Sequence, residues 1–95
     1  EQDFKEALYW YTLAAEKKKL GAITKLANMN ILGYGTNSDL VLGYMWTELE
    51  KLNGSFNTST KKLDMLSEKM TISQIKEAQR LANECIEKKY KNCGY

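Results

Sequence analysis

Two cysteines, Cys85 and Cys93, are the residues of this chain best suited to covalent chemistry. A chain that turns back after about Lys89 brings Cys93 within the several-ångström reach of a disulfide to Cys85. Such a short loop would contribute about 2–3 kcal/mol to stability, and the bridge would require an oxidising compartment. The alternative is one buried and one exposed free thiol in a reducing compartment.

Other candidates for catalysis or metal binding are few. The chain contains no histidine, which is the commonest general base and metal ligand. Without a histidine neither thiol has its usual activating partner, and two thiolates alone do not make a structural zinc site. Glu48 and Glu50 fall on a predicted helix surface, where solvated charges are expected rather than a catalytic pair. We therefore expect no enzyme activity, no cofactor and no metal.

Two further patterns could suggest a ligand site. Gly33 and Gly35 resemble part of a phosphate-binding loop, but no strand is predicted before them and the rest of the fingerprint is missing. We interpret them as the end of a helix, because glycine reaches positive φ without strain. Trp10 and Trp46 could form a ligand cage, but they are 36 positions apart (46 − 10), as are Ala7 and Gly43. Equivalent positions of a repeat favour two core residues.

Length and charge limit the function classes. The chain has 95 residues, 43% of them hydrophobic and 27% charged, which is typical of one globular domain. No apolar run approaches the roughly 20 residues needed to span a bilayer. The net charge of +2 is too small to argue for nucleic acid or an anionic membrane. The run 17–19, three lysines, is interpreted as a solvated helix end that complements the helix dipole.

Hydrophobic periodicity predicts an all-α fold. The five predicted helices run from about Asp3 to Lys18, Leu20 to Leu32, Leu40 to Leu52, Ser59 to Lys69 and Ile72 to Lys89. Asp3 is the expected N-cap of the first helix and Ser38 or Asp39 that of the third, after a polar turn at 36–39. Thr71 and Gln74 form a predicted capping box before the last.

The first helix carries a stripe of small and aromatic residues that we assign to the core: Ala7, Trp10, Tyr11, Ala14 and Ala15. Bulky residues outside this stripe need another role. We expect a face that binds another protein, lined by Tyr9, Thr12, Leu13, Met45 and Glu48. The alternative is that Phe4, Tyr9 and Leu13 pack against a preceding repeat or against a second subunit, as in a homodimer formed through the N-terminal helix.

The chain resembles the Sel-one-like repeat family, relatives of the tetratricopeptide repeats. The residues in register are Asp3, Ala7-Leu8, Trp10-Tyr11, Ala14-Ala15-Glu16, Ala22, Leu26, Met29, Gly33-x-Gly35 and Asp39. Gly43-Tyr44-Met45-Trp46 resembles the start of a second repeat, and 70–82 resembles the closing helix of bacterial members. Lys18 stands where the family usually has glycine, and we expect a different turn there. Glu50-Lys51 replaces the alanine pair, which suggests looser packing or solvent exposure.

The resemblance implies an α/α superhelical solenoid of antiparallel helix pairs with a C-terminal capping helix. Residues 1–38 would be repeat one, 39–70 a divergent repeat two, and 71–95 the capping helix and tail of a single domain, 1–95. It further implies a non-catalytic scaffold or adaptor that binds a protein or peptide. The spacing of Cys85 and Cys93 resembles the C-terminal cysteine pairs of exported members, which favours the bridge.

These expectations lead to a bacterial protein that is periplasmic or secreted. A narrower version is an immunity or inhibitor protein that blocks a toxin enzyme. The alternative is the C-terminal capping fragment of a longer solenoid with a purely structural role. The chain starts at Glu1 without a visible signal peptide, which fits either removal of one or a longer gene product. We expect no nucleic acid and no membrane insertion.

Overall fold

The computed structural model describes residues 3–35 and 38–93, and these form five α-helices with no strand among them. The helices are α1 (Phe4–Ala15), α2 (Leu20–Leu32), α3 (Leu40–Leu52), α4 (Phe56–Ser67) and α5 (Ile72–Glu87). The predicted all-α fold is therefore confirmed. The bounds of α2 and α3 are those predicted, whereas α1, α4 and α5 end earlier than predicted and α4 also begins earlier. Of the polar turn predicted at 36–39, residues 36–37 lie outside the described residues.

Side-chain caps fix the starts of three helices. The carboxylate of Asp3 accepts hydrogen bonds from the first-turn amides of α1, and Asp39 accepts one from Leu42 at 3.0 Å. Thr71 and Gln74 form both bonds of the predicted capping box, at 2.9 and 3.1 Å. Each cap satisfies an amide that has no partner within its helix.

Two helices end with a lysine in the left-handed conformation that usually favours glycine. Lys18 after α1 has a φ of 60°, and Lys89 after α5 has a φ of 57°. At both ends the next amide reaches back five residues, to Ala14 O at 3.2 Å and to Cys85 O at 2.8 Å. This is the bonding pattern of a Schellman motif. The expectation that Lys18 imposes a different turn is therefore wrong, because the lysine itself adopts the left-handed conformation.

Helix α3 lies at the centre of the molecule. It packs against α2, α4 and α5, while α1 packs mainly on α2. Its residues Trp46 and Leu49 join Ile23 and Leu26 of α2 in the main core cluster. A second cluster joins α3 to α4 and α5 through Tyr44, Leu63, Leu66 and Ala78. The buried residues of α2 include Asn30, whose side-chain amide donates to Leu26 O.

Candidate functional site

The residues that the structure describes form a groove between α1 and α2. It has a volume of about 460 Å³. Its walls are formed by Phe4, Ala7 and Tyr11 of α1, by Lys25, Asn28, Met29 and Leu32 of α2, and by Tyr34. Spacings of three, four and seven residues on each helix place these side chains on one face over about two turns. We call this feature the α1–α2 groove.

One end of the groove is built from aromatic rings. The rings of Phe4 and Tyr34 stack with centroids 5.0 Å apart and planes 18° apart. Gly33 ends α2 with a φ of 80°, as predicted, and this turn carries Tyr34 back over α1. At Gly35 a β-carbon would lie 2.5 Å from the carbonyl oxygen of Phe4, so glycine permits the close approach of the two segments.

Beside the groove, α1 exposes a second apolar surface, which we call the α1 outer surface: Tyr9, Trp10 and Leu13. The rings of Tyr9 and Trp10 meet edge to face, with centroids 5.2 Å apart. Trp10 is 59% exposed, so its assignment to the core is wrong. Its repeat equivalent, Trp46, is buried as predicted because α3 has three neighbouring helices and α1 has one.

The structure separates the five residues predicted to bind a partner. Tyr9 and Leu13 are exposed. Thr12 is partly buried, and its hydroxyl donates to Leu8 O at 2.7 Å within α1. Glu48 lies near Tyr44 on α3, where burial and the Glu48 carboxylate raise the pKa of the phenol. Met45 is 1% exposed and belongs to the main core cluster, so its expected place on a surface is wrong.

A buried polar cluster links α2, α3 and α4, and the sequence did not reveal it. Glu50 of α3 is 1% exposed, so the expectation that it is a solvated charge is wrong. Its carboxylate accepts hydrogen bonds from Thr24 of α2 and from Ser59 of α4, the latter at 3.0 Å. Lys62 Nζ lies 3.0 Å from the same carboxylate and donates to Asn28 Oδ1 at 3.1 Å.

The electrostatics of the cluster favour an ion pair. Burial alone would raise the pKa of Glu50, but the hydrogen bonds from Thr24, Lys62 and Ser59 and the charge of Lys62 lower it below the ordinary value. Glu50 is therefore ionised at neutral pH. The donors to Glu50 are two hydroxyls and the ammonium of Lys62, and they come from α2 and α4. The cluster therefore joins three helices. Each of its polar groups already has a partner within it, so none is a free base or nucleophile.

The C-terminal tail is fastened to the core. Cys85 and Cys93 form a disulfide with Cα atoms 5.3 Å apart, which confirms the predicted bridge. Between them Tyr90 is buried, and Asn53 donates to its hydroxyl at 2.9 Å. The ammonium of Lys18 lies 5.3 Å from the centre of the Tyr90 ring. The tail therefore contacts both the α1–α2 turn and the end of α3.

Residues 3–35 and 38–93 were compared with two further kinds of site, a metal-binding cluster and a membrane-spanning helix. No cluster of three or more cysteine, aspartate or glutamate side chains is arranged to hold a metal ion in these ranges. None of the helices they form is both long and apolar enough to cross a bilayer.

Comparison of the chain with family models, with curated proteins and with solved structures finds no match. The resemblance to the Sel-one-like repeat family therefore stays a prediction that depends on the quoted residues alone.

Proposed function

We propose that the chain is a non-catalytic protein-binding domain, built as an α/α solenoid of the Sel-one-like type, that receives a helix of another protein in the α1–α2 groove. The observation behind the proposal is the apolar groove and the α1 outer surface beside it, neither of which is covered by other residues of ranges 3–35 and 38–93. Exposed apolar surfaces of this kind often mark interaction sites.

The shape of the groove suits an amphipathic helix. Its α1 wall runs from Phe4 to Tyr11, which is about 10 Å or two helical turns. Ala7 lies between these aromatic residues and leaves room for a side chain of the partner. Apolar residues at i, i+3 or i+4, and i+7 of the partner would match this length.

The charge of the groove further restricts the kind of partner helix that would fit. Lys25 is the single charged side chain in its lining, and it is exposed. It makes no ion pair with the residues that the structure describes. A partner helix with an aspartate or glutamate beside its apolar face would pair with Lys25 at the groove edge, which favours specificity more than affinity.

The disulfide supports an oxidising location, periplasmic or secreted, since such bridges are rare in reducing compartments. Within this proposal an immunity or inhibitor protein is a narrower possibility, in which the partner is a toxin enzyme whose surface is covered. The α1 outer surface also supports the structural alternative, because a preceding helix pair of a longer solenoid, or a second copy of the chain, would cover it in the same way.

Photo-cross-linking in cells of the native organism tests the proposal. A photoreactive residue replaces Leu32, which is 58% exposed at the groove, or Ile72, which is 74% exposed on α5 and serves as the control position. We expect one discrete heterologous protein adduct from the groove position and none of it from the control. The charge reversal Lys25→Glu should weaken this adduct, whereas Lys76→Glu on α5 should not.

Other outcomes separate the alternatives. An adduct that contains only further residues of the same gene product would assign the groove to a preceding repeat. An adduct of two identical chains would assign it to a homodimer. The same set of proteins cross-linked from both positions would contradict a binding site in the groove.

A further inference from the structure

A cluster of lysines at one end of the molecule is used neither by the core nor by the groove. The α1–α2 turn, the α3–α4 turn and the C-terminal tail meet at this end. Lys18 lies over the Tyr90 ring, and Asn53 donates to the Tyr90 hydroxyl. A β-carbon at Gly54 would lie 3.8 Å from the side chain of Leu20. Three segments distant in sequence therefore form one surface.

These segments concentrate positive charge, and we call their shared surface the lysine end. It holds half of the 14 basic residues of the chain: Lys17, Lys18, Lys19, Lys51, Lys88, Lys89 and Lys91. All except Lys51, which is partly buried, are exposed. The glutamates nearest in sequence are Glu16, Glu50, Glu84 and Glu87. Glu50 is buried and pairs with Lys62, and Glu84 pairs with Arg80 and Lys88. Since Lys62 neutralises Glu50, seven lysines against the other three glutamates leave an excess of about four positive charges, although the whole chain carries only +2.

Two large apolar side chains project from the same end. Leu52, the last residue of α3, is 65% exposed, and Phe56, the first residue of α4, is 61% exposed. The ammonium of Lys51 lies 4.9 Å from the centre of the Phe56 ring. An exposed leucine and phenylalanine within a ring of lysines can enter the boundary between lipid headgroups and acyl chains, while the ammonium groups stay with the phosphates.

We infer that the lysine end binds the surface of an anionic phospholipid bilayer, with Leu52 and Phe56 as shallow anchors. Charge complementarity and the two apolar tips favour this occupant over an acidic protein, because protein interfaces are depleted in lysine and enriched in arginine. The one arginine of the chain, Arg80, is paired with Glu77 and Glu84 on α5. A nucleic acid would offer phosphates to the lysines but no boundary between headgroups and acyl chains for Leu52 and Phe56. The inference is independent of the α1–α2 groove.

Vesicle flotation with the purified, disulfide-bonded chain tests this inference. The vesicles contain phosphatidylcholine alone or with about one third phosphatidylglycerol, and the salt is about 0.1 M or about 1 M. We expect binding to the anionic vesicles alone. High salt should release the chain, since the screening length falls from about 10 Å to about 3 Å.

Charge-reversal variants locate the surface. Lys17→Glu with Lys91→Glu changes one lysine in each of two segments, and neither side chain forms a hydrogen bond or ion pair with the residues that the structure describes. The double variant should bind at least about 25-fold more weakly, since each lysine near an anionic surface contributes about fivefold. The matched control, Lys69→Glu with Lys76→Glu, makes the same change in net charge at the other end of α5. It should bind much more tightly than the first variant.

Replacement of Leu52 and Phe56 distinguishes binding to a bilayer from binding to an acidic protein. Leu52→Ser with Phe56→Ser should weaken vesicle binding about tenfold and leave retention on immobilised polyglutamate unchanged. Circular dichroism and thermal unfolding verify that all variants fold. Absence of binding to anionic vesicles, or an equal loss in both charge-reversal variants, would overturn the inference. Retention on polyglutamate without vesicle binding would also overturn it and assign the end to an acidic protein.

Discussion

Replacement of Lys62 by methionine should destabilise the chain by about 3 kcal/mol, the lower end of the cost of breaking a buried ion pair. The ammonium lies 3.0 Å from Glu50 Oε1, and the two side chains are 13% and 2% exposed. Methionine preserves the apolar stem and removes the charge, so Glu50 keeps only the hydroxyl donors Thr24 and Ser59. For a domain of this size the loss corresponds to a fall in Tm of about 12–24 °C.

The pH dependence of this loss tests its electrostatic origin. The pKa of Glu50 is lowered in the folded chain, so its contribution to stability is present above the unfolded pKa near 4.3 and is lost as pH falls through the lower folded pKa. Without Lys62 the pKa of Glu50 rises from its folded-state value, because the hydrogen bond and charge of Lys62 no longer lower it. The stability difference between the original chain and Lys62→Met should therefore shrink below about pH 4, because protonation relieves the uncompensated charge.

Urea unfolding followed by circular dichroism measures both effects. The matched control is Lys61→Met, one residue earlier in α4 and exposed, which should change stability by less than about 0.5 kcal/mol. Equal losses in the two variants, or a difference that stays constant from neutral to acidic pH, would refute the assignment of Glu50 and Lys62 as a stabilising buried pair.

Two backbone predictions use the same unfolding assay. Lys89→Gly should stabilise the chain by about 0.5–1 kcal/mol, because removal of left-handed strain of about 1–2 kcal/mol exceeds the extra chain entropy of glycine. Lys91→Gly, which relieves no such strain, should not stabilise it. Gly43→Ala should destabilise by about 1–3 kcal/mol, since the new β-carbon would lie 2.6 Å from the side chain of Ile31. Gly21→Ala, whose new β-carbon meets nothing within 4 Å, should instead stabilise the chain by about 0.5–1 kcal/mol. A Gly43→Ala variant more stable than Gly21→Ala would contradict the close contact between position 43 and Ile31.

Features determined by neighbouring residues could be predicted from the sequence. The caps at Asp3, Asp39 and Thr71 follow from a polar side chain placed before an apolar pattern. The end of α2 at Gly33 follows from the conformational freedom of glycine. The bridge between Cys85 and Cys93 needs only a turn of the chain after α5. Each of these depends on a few consecutive residues.

Features determined by the number of neighbouring helices could not be predicted. A repeat offset assumes equal surroundings, yet Trp46 lies among three helices and Trp10 beside one. The exposed Trp10 and the buried Met45 are both consequences of this difference. Glu50 shows the same limit, since its partners Thr24 and Ser59 lie on two other helices. The glutamate in place of a small residue signalled an unusual environment. Whether that environment is buried or exposed could be decided only from the tertiary structure.

The peripheral position of α1 has a consequence for hydrogen exchange. A helix with one main neighbour opens at a lower free energy than a helix packed on three sides, so amides of α1 should exchange through a partial unfolding that leaves α3 folded. The contact between Lys18 and Tyr90 restrains that opening at the C-terminal end of α1, beside the disulfide-bonded tail. A ligand held in the α1–α2 groove would therefore act on the least protected helix. Its binding would appear as slower exchange along the whole of α1, because it stabilises only the closed state.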